Sequence, residues 1–400
     1  MGPSSKPFGN PPQKPTFPIH NLNVHFPQSD IDDLRSRLNN ARPLRTTWEN
    51  SFTDAALGIR QDWMDQAIAY WRNKYDWREV EEKINKYPNY MASLKAREHE
   101  QSIHFTALFS EKTDAVPVLM LHGWPGSFLE FQPLMDDLVS NYSPSDLPIH
   151  LICPSHTGYG LSGPPPRHDK FTKRDAAELY DGLMRGLGFD SYVVQAGDFG
   201  ALIARLMAEN FDGCKAIHLN RLHLERPETR DIAPTTKEEE KAVAEAKEWN
   251  LYEAAYKREQ VTKPATIGIV ASSDPVAMLA WIGEKFLAWS DETPSLDMIL
   301  SNVTLYWLTE SFPTGLWAYN DDHPPVAVKG TSPHNKHEKP VGYSLFPKDH
   351  ETYPESYVKK AMNLVWFRQH DKGGHFAALE CPKVLLQDLL DFVKEVWSNH

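Results

Sequence analysis

Short, continuously apolar runs alternate with amphipathic helical stretches through the middle of the chain, and that alternation is how a parallel α/β sheet reads in sequence. The runs are SIHFTALF, VPVLMLHGW, IHLICPSHTGYG, SYVVQAGDFG and KAIHLN, punctuated by Gly and Pro, with FTKRDAAELYDGLMRGLGF and ALIARLMAEN between several of them. Polar positions are scarce inside these strands, as expected where both faces are covered. After Leu222 strand character stops for about a hundred residues; TKEEEKAVAEAKEW, DPVAMLAWIGEKFLAW and SLDMILSNVTLYWLTESF read as helices of an inserted lid. Strands return at KPVGYSLFP and NLVWFRQH, and PKVLLQDLLDFVKEVW closes the chain with Leu385, Leu389, Phe392, Val393 and Val396 as a helical stripe behind a Pro.

The N-terminal portion has a different texture. Its first fifteen or so residues are Pro-rich with few aliphatics and read as an extended, poorly ordered arm outside the fold. From Ser29 to about Arg97 the pattern is helical: SDIDDLRSRLNNA opens on Ser and acids, and WMDQAIAYWRNKY sets Trp63, Ala67, Tyr70, Trp71 and Tyr75 on one face. The expected organisation is a flexible arm (1–16), an N-terminal helical meander (17–99), a first core segment (100–221), a helical lid (222–328) and a second core segment (329–400). The fold class is α/β, a mostly parallel sheet with helices on both faces.

Composition excludes more than it assigns. With 400 residues, 41% of them hydrophobic, the chain can bury a large core. A formal charge of -12 with no strong Lys/Arg cluster argues against a nucleic-acid partner. No apolar run approaches the roughly 20 residues that span a bilayer, and the first residues lack the apolar stretch of a secretory signal, so a soluble cytoplasmic protein is expected. Cys153, Cys214 and Cys381 are widely spaced and suggest neither disulfides nor a zinc site.

The sharpest chemical signal is Ala196-Gly197-Asp198-Phe199-Gly200-Ala201, between SYVV and ALIARLMAEN. Small residues on both sides of an apex allow a tight strand-to-helix turn that lifts the apex side chain above the sheet, a nucleophile elbow. The plainer alternative is that Asp198 only caps the following helix. An Asp apex changes the chemistry available. A carboxylate attacking an ester carbonyl gives an activated anhydride, whereas attack on an electrophilic sp³ carbon gives an ordinary ester that water can later cleave. Epoxides and alkyl halides are the matching substrates. Carboxyl groups ionise near a pH of about 4, so a base is needed only for the second step.

That base belongs late in the chain, where GGHFAALE supplies His375, one of seventeen histidines, with Gly373 and Gly374 permitting a tight turn. A histidine base needs a carboxylate to fix its tautomer. Asp349 in FPKDHETYP precedes His375 in the order nucleophile, acid, base; Glu351 is the competitor, and either could be an ordinary surface acid. His122-Gly123-Trp124-Pro125-Gly126-Ser127 follows a buried strand, where a loop N–H would serve an oxyanion hole; Trp124 and Phe199 are assigned there, with His122, Gly123 and Pro125 as supporting motif. A simple turn is the alternative. Opening an epoxide also needs a proton donor on oxygen, for which the lid offers Tyr252, Tyr256, Tyr306 and Tyr319. His334-Asn335-Lys336-His337-Glu338 reads as a solvated loop rather than a metal site.

Taken together, these motifs resemble the microsomal-type epoxide hydrolases of the α/β-hydrolase superfamily, especially their soluble microbial members. The resemblance runs from about Phe17 to Leu390 through HGWPGSFLEF, GYGLSGPP, QAGDFGALIARLMA, KPATIG, MLAWIGEKF, LYWLTESFP, FPKD and NLVWFRQHDKGGHFAALE. It implies an α/β-hydrolase fold, Asp198 as nucleophile, His375 as base and Asp349 as acid. It points to Tyr256, eight residues before Pro264, and Tyr319, seven after Phe312, as the ring-opening pair. It also implies an N-terminal segment that clamps the lid, no membrane anchor, and a homodimer through the lid. Phe199 stands where Trp or Ile is common in the family, and both TKEEEKAVAEAKEW and YKREQV are unusually charged.

The reaction implied is hydrolysis of an epoxide to a vicinal diol through an ester on Asp198, with the epoxide and water as partners and neither metal nor organic cofactor. A haloalkane dehalogenase-like hydrolase would need halide-binding groups that the Phe199 side chain cannot supply. An epoxide-opening cyclase that uses an internal hydroxyl and a non-catalytic ligand receptor are two further activities that the same fold could host.

Overall fold

In a computed structural model, residues 6–51, 57–224, 233–321 and 338–398 are described. Among the described residues nine strands form one sheet: β1 (Ile19–Asn21), β2 (Asn89–Ala96), β3 (His99–Leu108), β4 (Val116–Leu121), β5 (Ile149–Pro154), β6 (Tyr192–Ala196), β7 (Cys214–Leu219), β8 (Val341–Leu345) and β9 (Leu364–Gln369). Their spatial order is β1-β2-β3-β5-β4-β6-β7-β8-β9. Pairings from β1 to β5 through β2 and β3 are antiparallel, and those from β5 onward are parallel.

The period-two geometry of a strand sends alternate residues to opposite faces, and here each face builds its own core. Val116, Val118 and Met120 of β4 pack with Leu134 and Leu138 of helix Gln132–Asn141 and with Leu389 and Phe392 of helix Pro382–Trp397. Leu119 and Leu121 face the other way, into the cluster that takes in Leu179 and Leu183 of helix Lys173–Gly186 and Ile203 of helix Asp198–Asn210. All five stripe residues of the last helix are buried, behind a Pro in its first turn. This is the α/β-hydrolase fold.

Between β7 and β8 lie the helices Lys237–Tyr252, Ala255–Thr262, Pro264–Ser272, Pro275–Trp289, Leu296–Leu308 and Ser311–Thr314, then a 3₁₀ turn at Gly315–Tyr319. The helix Gln61–Asn73 ties itself to this layer: Trp71 Nε1 donates to Thr304 Oγ1 at 3.1 Å and Tyr70 Oη to Asp297 Oδ1 at 2.9 Å.

Four local expectations change. NYMASLKA, read within a helical stretch, is strand β2; its buried residues alternate (Tyr90, Ala92, Leu94, Ala96), but Met, Ala, Leu and Lys also favour helix, which hid the period. The first helix, Gln28–Asn40, is preceded by Pro27 and has no side-chain cap, so Ser29 does not start it. SLDMILSNVTLYWLTESF is broken at Glu310, whose φ is 51°, into two helices. The Pro-rich arm, expected to stand outside the fold, lies along the body over residues 6–18: Phe109 N donates to Phe8 O at 2.8 Å, Tyr90 Oη to Gly9 O at 2.5 Å and Ser93 N to Pro18 O at 2.9 Å. His334 to His337, in the loop read as solvated, lie outside the described residues.

Candidate active site

The C-terminal ends of β4, β6, β7 and β8 and the loop beyond β9 converge at one point above the sheet, where parallel α/β sheets place ligand chemistry. After β6 the chain passes through Gly197 in extended conformation to Asp198, whose φ is 43°, in the sparsely populated left-handed region for an L-residue. Asp198 is the first helical residue, while Gly197 holds the cap position, so helix capping is not what Asp198 does. Close approach of the β4 loop demands glycine. A Cβ on Gly123 would sit 2.2 Å from Asp198 Cβ, and one on Gly200 would sit 2.5 Å from His122 O. The approach brings Trp124 N within 3.0 Å of Asp198 Oδ1, to which it donates.

His375 reaches the elbow from the other side. Its Nδ1 is 2.8 Å from Asp349 Oδ1 and its Nε2 is 3.6 Å from Asp198 Oδ2. Its own N–H donates to Trp289 O at 2.9 Å, and Gly374 allows that contact because a Cβ there would lie 2.6 Å from the same oxygen. Gly373 takes a φ of 102°. Glu351, the competing acid, is occupied elsewhere: Arg221 Nη2 bonds it at 2.5 Å and Asn250 Nδ2 also donates to it. Desolvation pushes the Glu351 carboxyl up, yet the Arg221 charge and the His223 hydrogen bond outweigh it and hold the group well below the usual range.

A cavity of about 810 Å³ opens over Asp198, lined by Phe199, Tyr256, Tyr319, Leu202, Val243 and Val261 among others. Tyr256 stacks on Trp124 with centroids 5.3 Å apart, and the Tyr256 and Tyr319 rings meet edge-on at 6.4 Å. Burial first, then neighbouring charge and phenols, keep both hydroxyls well above the ordinary phenol pKa, so both stay protonated as donors. The other two tyrosines are elsewhere: Tyr252 is 70% exposed and Tyr306 Oη donates to Gly126 O at 2.9 Å. Phe199 buries its ring against His156 and Trp317.

The loop that carries Trp124 is braced by neutral groups. Burial pushes His122 down to about 4; its Nδ1 lies 3.0 Å from Gly123 O, and its Nε2 accepts from His156 N at 3.4 Å. The Trp124–Pro125 bond is cis, and Asn302 of the lid donates to Pro125 O. Asp198, His350 and His375 bring potential metal-ligand atoms within 4.8 Å of one another. The two imidazoles, however, stack at 4.4 Å with planes 24° apart, so their nitrogens lie side by side instead of converging on an ion.

Family models match twice: an epoxide hydrolase N-terminal region over residues 19–131 and the alpha/beta hydrolase fold over residues 116–275. Epoxide hydrolase 1 of Sus scrofa is 31% identical over 98% of this chain and 91% of its own length. The solved structure of Aspergillus niger epoxide hydrolase is 39% identical with a TM-score of 0.89, covering 98% of this chain and 100% of that one. That of juvenile hormone epoxide hydrolase from Bombyx mori is 26% identical with a TM-score of 0.84, covering 98% of each. The chain belongs to the epoxide hydrolase family.

Three groups at this epoxide hydrolase site are absent from the sequence reading, and only Arg221 has a signal there. Arg221, fully buried after β7, lies between Asp349 (3.7 Å) and Glu351. His350 is sandwiched between Trp249 and His375 at 4.2 and 4.4 Å. Glu130 lies behind the elbow. A charged residue inside the apolar-flanked string HLNRLHL was the one available hint, and it pointed to Arg221. Among the described residues no single helix is long and apolar enough to cross a membrane.

Proposed function

We propose that this epoxide hydrolase forms a covalent ester between Asp198 and one carbon of its substrate and releases a vicinal diol. A carboxylate oxygen of Asp198 attacks the carbon, the ring C–O bond breaks, and the oxygen that takes the electron pair receives a hydrogen bond or proton from Tyr256 and Tyr319. His375, oriented by Asp349, then removes a proton from water as it adds to the ester carbonyl, with the Trp124 and Phe199 N–H groups facing the oxyanion. No step calls on a metal or organic cofactor.

The observation that carries this reading is the two-sided setting of Asp198. One side meets the His375–Asp349 pair, and the other meets a cavity lined by two protonated tyrosines. Asp198→Ala should abolish diol formation across a panel of aryl and alkyl epoxides without lowering the melting temperature; diol formation at the wild-type rate would refute it. A homodimer through the lid is supported by Ile269 and Val270, exposed on one lid helix, and by Leu251 and Tyr252, exposed on another; sedimentation of the wild type against Ile269→Glu tests it.

A further inference from the structure

Behind Asp198, on the sheet side of the elbow, lies a second and very small cavity of about 20 Å³. It is walled by Asp198, His375, Glu130, Gln195, Asn220 and Trp124. A single water needs roughly 10–15 Å³ of such space and two to four polar partners, and this cavity offers both. We propose that it is the seat of the hydrolytic water and that Glu130 holds that water for His375; this rests on the covalent ester at Asp198.

The geometry behind the assignment is local and specific. His375 Nε2 and Asp198 Oδ2 are 3.6 Å apart, beyond direct hydrogen-bond reach, and both residues line the small cavity, so a water seated there lies beside the two together. Glu130 belongs to the 3₁₀ turn Phe128–Phe131, and its Oε1 accepts from Ser127 N at 3.1 Å. Its carboxyl fits only because residue 126 has no side chain: a Cβ there would fall 1.4 Å from Oε1. Capping that turn explains the Ser127 bond but not why the carboxyl borders a cavity shared with Asp198 and His375. Burial, followed by the Asp198 charge, pushes the Glu130 carboxyl up to about 8, against the pull of the Ser127 N–H. Esterification of Asp198 removes that charge and favours ionised Glu130 at the stage when a water needs an acceptor.

In the step itself the water oxygen gives an electron pair to Cγ of Asp198. One of its protons passes to His375 Nε2, the other is hydrogen-bonded to Glu130, and the carbonyl π pair moves to the oxygen held by Trp124 N–H. Collapse expels the diol alkoxide, which takes the proton from His375.

Glu130→Gln keeps an oxygen for the Ser127 N–H while weakening the acceptor. Rapid-quench kinetics with an aryl epoxide, coupled to intact mass, should show alkylation preserved, hydrolysis slowed by about tenfold to a hundredfold, and ester accumulating. Gly126→Ala, which displaces the carboxyl with Glu130 present, should give the same split. Equal slowing of both steps, or of neither, overturns the assignment. His375→Gln is the control for the underlying reading: ester must accumulate there, and its absence would mean that the covalent step has failed and this inference with it.

Discussion

Replacing Gly123 with Ala is the smallest change that should disable the site, because it adds one methyl group where the loop backbone meets the Asp198 side chain. The new Cβ would stand 2.2 Å from Asp198 Cβ, 2.4 Å from its Oδ1 and 2.6 Å from its Cγ. Ordinary van der Waals contact begins near 3.4 Å, so the loop and the elbow must part by about 1 Å, a displacement that costs on the order of a hundredfold in rate when it misplaces reacting groups. The same shift lengthens the 3.0 Å bond from Trp124 N to Asp198 Oδ1; in the proposed mechanism that N–H is an oxyanion donor, and losing one such donor costs about 10²–10³-fold. The kcat for an aryl epoxide, by stopped flow, should therefore fall on the order of a hundredfold or more, with ester hydrolysis the slower step. Gly182→Ala is the internal comparison: its Cβ meets nothing within 4 Å on the exposed side of helix Lys173–Gly186. There the protein should gain about 0.5–1 kcal/mol with activity unchanged. A Gly123→Ala enzyme with kcat within about threefold of wild type would refute the reasoning, since a 1 Å displacement could not then be what the glycine prevents.

Asp349→Asn should lower turnover on the order of a thousandfold to ten-thousandfold by leaving His375 in the wrong tautomer, while Glu351→Gln, which removes a partner of Arg221, should have a far smaller effect; comparable kcat losses in steady-state assays would contradict the pairing. Stability should fall on acidification. His104 is held down to about 3, and His122, His150 and His218 to about 4, by burial, against 6.5 unperturbed. The unfolded chain takes these protons first, so their contribution is complete above about 6.5 and is lost as pH falls toward 4, at up to about 1.4 kcal/mol per unit for each. Urea midpoints measured at steps below neutrality should decline; a flat profile would contradict this.

How far the sequence reaches depends on the range of the interaction. The elbow is legible because its requirements are local: glycines at 197 and 200 and an apolar strand before them. The lid and the two-sided strands are legible because their periods and lengths are encoded residue by residue. Strand β2 is not, because MASLKA satisfies helix preference and only its partners β1 and β3 decide for strand. Choosing between Asp349 and Glu351 needs the third dimension, since only the fold pairs Glu351 with Arg221, 130 residues earlier, and sets Asp349 against His375. Glu130 is hidden for the same reason: its neighbours in sequence suggest a capped turn, and only folding sets it beside residues 198 and 375.

Whether substrate carbon is ever bonded to the enzyme can be read from a single turnover in heavy-oxygen water, followed by peptide mass analysis. Ester cleavage at the carbonyl would leave the label in the carboxyl group of Asp198. Label found only in the diol, with that peptide at its natural mass, would contradict the proposed route.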